Sequence, residues 1–268
     1  MIPEDVRRFA EAPGAWGEIS AESGLTRILT DRYCLLLGPV PSFTSVSRLR
    51  LEPEEVAEVL AEVRERVAEQ RHRDAIWWVG PSATPSDLVD RLCAHGLAPD
   101  ERPNSEPHAT SMALLTEPAA TGGGVEARRV ASLEDFRAAA EIASTAFHES
   151  EDDRAALAEM LEESYERERT GDSPRTYLAL LDGRPVGTGR ALFAAESPAV
   201  LMIGGGVLPE ARGRGVYRAL VRARWDDAVA AGTPALVSHA GSMSRPILER
   251  LGFQAVAEQE ILLDPATR

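Results

Sequence analysis

The sequence predicts an α/β fold: a mixed, mostly antiparallel sheet with a parallel β-α-β core, in two related domains. Residues 201–239 form an apolar strand, a glycine-rich loop, a long helix and a second strand, and such a crossover requires parallel pairing. Asp182-Gly183-Arg184 separates two strand-like runs and has the residue types of a tight hairpin, which requires antiparallel pairing. The glycine cluster PAATGGG at 118–124 predicts a linker between domains.

The region before this linker, residues 1–117, alternates short helical and strand-like segments. Its clearest helix is 54–69, because Pro53 lies in the first turn and an apolar stripe follows at helical spacing. That stripe consists of Val56, Val59, Leu60, Val63 and Val67. The remaining predictions are helices at 4–12 and 86–95 and strands at 26–28, 33–37, 43–51 and 75–79.

The region after the linker, residues 125–268, has a regular order of elements. Ser132 is a candidate N-cap for its first helix, and Gly232 marks the end of the long helix. Further helices are predicted at 153–167, 216–231 and 243–251, and strands at 125–130, 176–181, 185–193, 199–207, 235–239 and 253–263.

Composition excludes several classes of protein. The 268 residues are 44% hydrophobic, enough for a substantial core, and 43 acidic against 29 basic residues give a net charge of −14. A strongly acidic chain lacks the basic surface that nucleic acid requires. It would suit a cationic amine as substrate, although solubility alone also accounts for the charge.

The chain shows no leader peptide and no apolar run of membrane-span length, so we expect a cytoplasmic protein with no membrane partner. Cys34 and Cys93 lie far apart without CxxC spacing, which favours reduced thiols in the core. The five histidines form no metal-binding pattern, and we expect no metal.

The stretch IGGGVLPEARGRGVYR, residues 203–218, has the pattern of an anion site. A strand leads through glycines into a helix start, where free N–H groups and the helix dipole favour a phosphate, and Arg212 and Arg214 add positive charge. A Walker A loop is excluded because the chain contains no lysine. Arg218 stands where a dinucleotide fingerprint needs its third glycine.

The loop resembles the acetyl-CoA signature of the GNAT acetyltransferase superfamily, Q/R-x-x-G-x-G/A, with Arg212 first and Gly215 fourth. Tyr217 at the sixth position departs from it. The order of elements and the ending Leu251-Gly252-Phe253 extend the resemblance over roughly residues 125 to 265.

The resemblance implies an N-acyltransferase that uses acetyl-CoA as donor and a small amine as acceptor, and it leaves a homodimer open. The pantetheine arm of CoA would bond to the strand before the loop, at Gly206, Val207 and Leu208. The pyrophosphate would lie on the loop, at Arg212, Gly213, Arg214, Gly215, Val216 and Tyr217. Both sets are carried over by position in the family motif.

The family chemistry requires a neutral amine that attacks the thioester and a general acid that protonates the departing thiolate. The family's usual tyrosine acid, four residues before Gly252, corresponds here to Leu248. Two alternatives follow: another group or solvent protonates the thiolate, or the protein is a non-catalytic CoA-binding or regulatory module. Candidate acids are His239, Tyr217 and Ser244; candidate acceptor-site residues are His148, Glu149, Glu151 and Asp152.

Residues 54–97 show a second, weaker resemblance to the same family. A helix, a strand and a short helix ending in Ala94-His95-Gly96-Leu97 repeat the order of the second region. The preceding segment RLRLEPEEVAEV has no glycine and has acids where phosphates would lie. The first region is therefore predicted to be a degenerate GNAT-like domain that lacks the CoA loop.

Overall fold

The computed structural model describes residues 1–19, 24–38, 43–70, 72, 74–102, 105–120, 122–147, 151–171 and 174–265. These form two compact units. The first unit comprises Met1–Met112, His239–Pro246 and Ala255–Arg268, and the second comprises Ala113–Ser238 and Ile247–Gln254. The predicted α/β class with a mostly antiparallel sheet is confirmed.

In the described residues, the first unit contains the helices α1 (Glu4–Glu11), α2 (Val56–Glu69) and α3 (Leu88–Ala94) and the first two residues of α8 (Arg245–Arg250). Its strands are β1 (Thr26–Leu29), β2 (Cys34–Leu37), β3 (Thr44–Ser47), β4 (Ala75–Val79), β5 (Ala98–Pro99), β6 (His108–Leu114) and β12 (Gln254–Asp264). The strand order is β1-β2-β3-β4-β12-β6, and β5 pairs with β12. Only the β3–β4 pair among these registered pairings is parallel.

The apolar stripe of α2 forms much of the first unit's core. All five predicted valine and leucine positions of that helix are buried, and they belong to one cluster with Tyr33, Leu35 and Trp77. Burial alternates along β4, so Trp77 is fully buried whereas the next residue, Trp78, stacks on His239 with ring centroids 4.9 Å apart. The period of two in a strand therefore places the two tryptophan side chains on opposite faces of β4.

The second unit contains helices α4 (Leu133–Ala146), α5 (Glu151–Glu159), α6 (Leu161–Thr170) and α7 (Val216–Ala230), and the last residues of α8 (Arg245–Arg250). Its strands are β7 (Val125–Arg129), β8 (Arg175–Leu181), β9 (Arg184–Leu192), β10 (Val200–Val207) and the start of β11 (Leu236–Ala240). Their order is β11-β10-β9-β8-β7. The β10–β11 pair is parallel, which confirms the predicted crossover.

Local sequence explains where the second unit's elements turn and begin. Asp182 and Gly183 have φ values of 51° and 78°, so the β8–β9 hairpin has the predicted tight turn. Ser132 accepts the N–H of Asp135 at 3.1 Å and caps α4, as predicted. Arg128 pairs with Asp135 and holds the pKa of that carboxyl below its usual value.

Several predicted elements were wrong in their extent. One helix was expected at 153–167, but α5 begins at Glu151 and α6 follows after a break at Met160, a residue type that does not mark helix ends. The strand expected at 43–51 is limited to β3, because Arg48 adopts a positive φ of 55°. Strand β6 was not predicted, although six of its seven residues are buried.

The structure also bears on the two cysteines and on membrane-spanning helices. Cys34 is buried, but Cys93 is exposed, so the prediction of core thiols was wrong for Cys93. In the described parts of the chain, the helices are too short or too polar to cross a membrane.

Arg64 of α2 holds the end of β12. Its Nε and Nη2 each lie 2.9 Å from a carboxylate oxygen of Asp264, which is fully buried. This bidentate contact ties the last residue of a strand to a helix distant in sequence, within the first unit.

We expect Arg64→Met to lower the free energy of unfolding by about 3 kcal/mol, because the buried carboxylate loses its guanidinium. Urea denaturation followed by tryptophan fluorescence measures the change. Arg91→Met, which removes an exposed i,i+4 partner of Asp87, should leave the midpoint nearly unchanged. Equal effects of the two substitutions would contradict the interpretation.

Candidate functional site

Strands β10 and β11 pair only at their beginnings. The registered parallel pairs are Val200 with Leu236 and Leu201 with Val237, whereas β10 continues to Val207. Beyond Leu201, the described residues include no further registered partner for β10 on β11. Ser238 Oγ of β11 still donates to Met202 O at 3.3 Å, so the β11-facing edge of β10 is open to an extended partner from Ile203 onwards.

A bulge in β10 accompanies this opening. The pairing of β10 with β9 shifts register between Ile203 and Gly206, and Gly204 has a positive φ of 58°. A bulge bends the strand and disrupts its ladder locally. The glycine run Gly204 to Gly206 therefore lies at a strand bulge.

The other two glycines of this run are required by close packing on opposite faces of β10. A Cβ on Gly205 would lie 2.8 Å from Cε2 of Tyr217, and a Cβ on Gly206 would lie 2.7 Å from Cβ of Ala146. Both distances are shorter than real Cβ contacts. Any larger residue would push α7 or α4 away from the strand.

The loop after β10 leaves its glycines uncovered. It begins with a short 3₁₀ turn at Pro209–Ala211, and Gly213 and Gly215 then adopt φ values of 76° and 83°. A Cβ on either glycine would meet nothing within 4 Å. Their positive φ requires glycine, and the space around them is available for a ligand.

The N-terminus of α7 is uncapped and faces no acid of its own. Gly215 is the N-cap and makes no side-chain cap, and the first turn contains no acidic residue. The hydrogen bond from Ala219 N to Gly215 O, 3.0 Å, begins the helix ladder, so the preceding N–H groups have no helical partner. Such an end favours an anion.

Two exposed arginines flank this helix end. The Nε of Arg212 donates to the carbonyl of Val207 at 3.3 Å, which folds its side chain back over the loop. Arg214 is 53% exposed and lies 3.6 Å from the carboxylate of Asp182. Both guanidinium groups add positive charge beside the uncapped helix.

Tyr217 fills the space that Gly205 leaves. Its half-buried ring lies against the bulge of β10, on the face where α7 packs. The departure from the family pattern at this position is therefore matched by a glycine twelve residues earlier. The Tyr217 ring and the bulge of β10 therefore pack against each other beneath the loop.

Arg224 lies behind Tyr217 and was not predicted from the sequence. It is fully buried, its Nε donates to Leu220 O at 2.9 Å, and its Nη2 has no hydrogen-bond partner. Desolvation lowers the pKa of its guanidinium, which nonetheless remains charged at neutral pH. The available signal was an arginine on the apolar face of α7, seven residues after Tyr217.

The candidate acids have other contacts. His239 belongs to the first unit, its Nε2 lies 2.9 Å from the carbonyl oxygen of Ala10, and desolvation lowers its pKa. Its imidazole is therefore neutral at pH 7, and its Nε2–H is engaged in the hydrogen bond to that carbonyl. Ser244 Oγ donates to Gly241 O at 3.4 Å before α8, and Leu248 is buried.

The predicted acceptor-site residues can be located only in part. His148 and Glu149 lie outside the described residues. Glu151 and Asp152 begin α5 instead of lying in a loop, and their side chains are not described. Within the described ranges, no three His, Cys, Asp or Glu side chains are placed to hold a metal ion.

In the first unit, the chain after β3 forms further backbone hydrogen bonds, unlike the β11-facing edge at the end of β10. After β3, Thr84 N donates to Leu49 O and Leu51 N donates to Thr84 O, each at 3.2 Å. The chain thus pairs with itself where β10 stays open. Near the start of α2, the carboxylate of Glu55 accepts the N–H of Glu52 at 2.8 Å.

We expect Gly205→Ala to destabilise the second unit by about 2 kcal/mol, because its Cβ would overlap the Tyr217 ring. The same substitution made in a Tyr217→Ala background should cost much less, since the ring is gone. Urea denaturation of the four proteins of this double-mutant cycle measures the coupling. An identical cost in both backgrounds would show that the two residues do not pack together.

Residues 133–253 match the model of the acetyltransferase (GNAT) family. A search of curated proteins found no significant match. Among solved structures, a GCN5-related N-acetyltransferase from Kribbella flavida is 21% identical, with a TM-score of 0.69 over 97% of this chain and 95% of its own.

Two further structures also align over both units. A GCN5-related N-acetyltransferase from Sphaerobacter thermophilus is 19% identical, with a TM-score of 0.60 and coverage of 98% of this chain and 96% of its own. A tandem GNAT protein from the clavulanic acid biosynthesis pathway is 15% identical, with a TM-score of 0.59 and coverage of 98% and 94%. These likenesses concern the fold, and the family match concerns the segment from α4 to the start of β12. The chain is therefore similar to the GNAT acetyltransferases, in sequence over residues 133–253 and in fold over both units.

Proposed function

We propose that the second unit binds an acyl-CoA, with acetyl-CoA as donor, and transfers the acyl group to a small amine. One observation supports this most strongly: an open strand edge leads through an uncovered glycine loop into an uncapped helix. The extended pantetheine arm, with its amide groups, fits the open strand edge. The pyrophosphate fits the glycine loop and the uncapped helix end.

The backbone of β10 would bond the pantetheine arm. Gly206 and Val207 pair with Thr188 and Gly187 of β9 on one edge and have no registered partner on the other. Leu208 has both backbone groups engaged, since its N–H donates to Val186 O and its carbonyl oxygen accepts the N–H of Ala211, each at 2.9 Å, so it enters the proposal only through the second lone pair of that oxygen. Of the three residues assigned to the pantetheine arm from the sequence, Gly206 and Val207 therefore contribute most to this proposal.

The loop would hold the pyrophosphate. Its N–H groups, the helix dipole and two guanidinium groups all favour negative charge. The residues of this part are Arg212, Gly213, Arg214, Gly215, Val216 and Tyr217. The open space above both glycines accommodates an anion close to the backbone.

In the transfer step, a neutral amine attacks the thioester carbonyl, the C–N bond forms, the nitrogen loses one proton to solvent, and the C–S bond breaks to release a thiolate. Free N–H groups of β10 stabilise the oxyanion. Leu248 is apolar and buried, so solvent or another group protonates the thiolate. Of the three candidate acids, Tyr217 alone belongs to the same unit as the loop.

The competing proposal is a non-catalytic CoA-binding or regulatory module. Leu248 at the usual acid position favours it, because losing a general acid costs about 10²- to 10⁴-fold in a mechanism that depends on one. Both proposals require the same CoA site. They differ only in turnover.

For the first region, residues 1–117, we propose a degenerate GNAT-like domain, joined through residues 118–124 to the GNAT domain of residues 125–268. The self-pairing at Thr84 and the carboxylate near the start of α2 support the absence of a CoA site there. Of the aligned structures, one is itself described as a tandem GNAT protein.

Acetyl-CoA should raise the melting temperature of the protein by several degrees, since ligand at about 100 times its Kd stabilises by about 2.7 kcal/mol. Gly215→Glu should abolish this shift by placing a carboxylate at the anion site. Gly232→Glu is a matched control, because Gly232 follows the other end of α7 with a similar φ of 77° and equally open surroundings. Loss of the shift in both variants, or no shift in the wild type at millimolar acetyl-CoA, would refute the proposed site.

Release of free CoA thiol over a panel of primary amines separates the enzyme from the module. We expect the rate to rise about tenfold per pH unit below the amine's pKa and to show no fall on the alkaline side, because no tyrosine acid must stay protonated. Binding without thiol release for every amine and acyl donor would favour the module. A falling alkaline limb would instead indicate an acid supplied by the protein.

A further inference from the structure

Arg224 is a fully buried cation without a carboxylate partner in the described part of the chain. Its Nε donates to Leu220 O at 2.9 Å and its Nη1 to Arg190 O at 3.4 Å, and the guanidinium also interacts with the side chain of Tyr217. Nη2 is buried and bonds to nothing. The nearby carboxylate of Asp227 accepts instead from the hydroxyl of Tyr177 at 2.6 Å.

The guanidinium lies beneath the beginning of α7. Side chains of a helix lean toward its N-terminus, and Arg224 follows this rule by bonding to the carbonyl four residues earlier. Its Cζ lies 5.9 Å from the ring centroid of Tyr217, seven residues earlier. The charge therefore lies within two turns of the uncapped N-terminus, behind the Tyr217 ring.

The neighbouring strands leave room for this arrangement. A Cβ on Gly189 of β9 would lie 3.0 Å from Nη1 and 3.1 Å from Cζ of Arg224. Gly205 of β10 leaves the space for Tyr217 in the same way. Glycine at one position in each of two strands therefore leaves the space that the side chains of Tyr217 and Arg224 occupy.

The arrangement is unfavourable for the ligand-free protein. A desolvated charge without a counter-ion lowers stability. An anion bound at the N-terminus of the same helix would offset part of this cost. In a region of low dielectric, this attraction is not screened as it is at an exposed arginine.

We propose that Arg224 strengthens binding of the acyl-CoA pyrophosphate from behind the loop, as a buried positive charge that also positions Tyr217. The inference rests on the proposed function. It assigns to Arg224 a role without direct ligand contact, in addition to the exposed Arg212 and Arg214.

Arg224→Met tests this role, because it keeps the length and apolar packing of the side chain and removes the charge. We expect the ligand-free melting temperature to stay the same or rise, while the Kd for acetyl-CoA, measured by isothermal titration calorimetry, weakens about tenfold. Arg224→Lys keeps the charge and should stay within about threefold of the wild type. Arg222→Met, on the same helix and paired with Glu117 and Asp226, should not change the Kd.

Salt separates the buried charge from the exposed ones. The loss of affinity in Arg224→Met should persist at 0.5 M salt, a concentration at which the Debye length is only about 4 Å. The loss in Arg214→Met should shrink there, because Arg214 is exposed. Gly189→Ala provides a second route that keeps the charge: its Cβ displaces the guanidinium and should also weaken binding.

Three results would overturn the inference. They are a wild-type Kd in Arg224→Met or, if that variant does not fold, in Gly189→Ala; a parallel loss of melting temperature and affinity, which indicates packing alone; and a salt dependence equal to that of Arg214→Met. Failure of the wild type to bind acetyl-CoA would refute the proposed function instead, so the two failures are distinguishable.

Discussion

The bulge in β10 is the constraint on which the second unit depends. By shifting the register with β9 and ending the pairing with β11 after Leu201, it opens one strand edge without loss of the sheet. Close packing holds the bulge on both faces, with Tyr217 against Gly205 and Ala146 against Gly206. The geometry of the loop and the start of α7 therefore follow from the absence of two side chains.

Much of this site could be predicted because its residue types have few alternative uses. Glycines in an apolar strand, an Arg-Gly-Arg-Gly turn and an apolar helical stripe each limit the backbone strongly, and α7 begins at Val216 as predicted. The break at Met160 could not be predicted, since no proline or glycine marks it. Arg224 was missed for a related reason: a charged residue on a helix is ordinarily solvent-exposed, and only the packing shows that it is buried.

The two units show how a common arrangement can be opened or closed by short segments. Each has a pair of parallel strands joined by a crossover helix, β3 and β4 by α2, and β10 and β11 by α7. In the first, residues 49–51 continue the pairing with Thr84, and the protein's own carboxylate accepts an N–H near the start of the helix. In the second, β10 has no registered partner on β11 after Leu201 among the described residues, and α7 follows its N-cap Gly215 without an acidic residue in its first turn.

Leucine at position 248, in place of a general acid, is compatible with acyl transfer from a thioester. A general acid matters most when the leaving group is a strong base, as an amine or alkoxide is. A thiol has a pKa of about 8.5, so a CoA thiolate can depart near neutral pH with protonation by water afterwards. The harder requirement is a neutral, well-placed amine beside a stabilised oxyanion. Acyl transfer at this site would then depend on the strand edge that β10 leaves open, and the missing tyrosine would limit the rate without preventing the reaction.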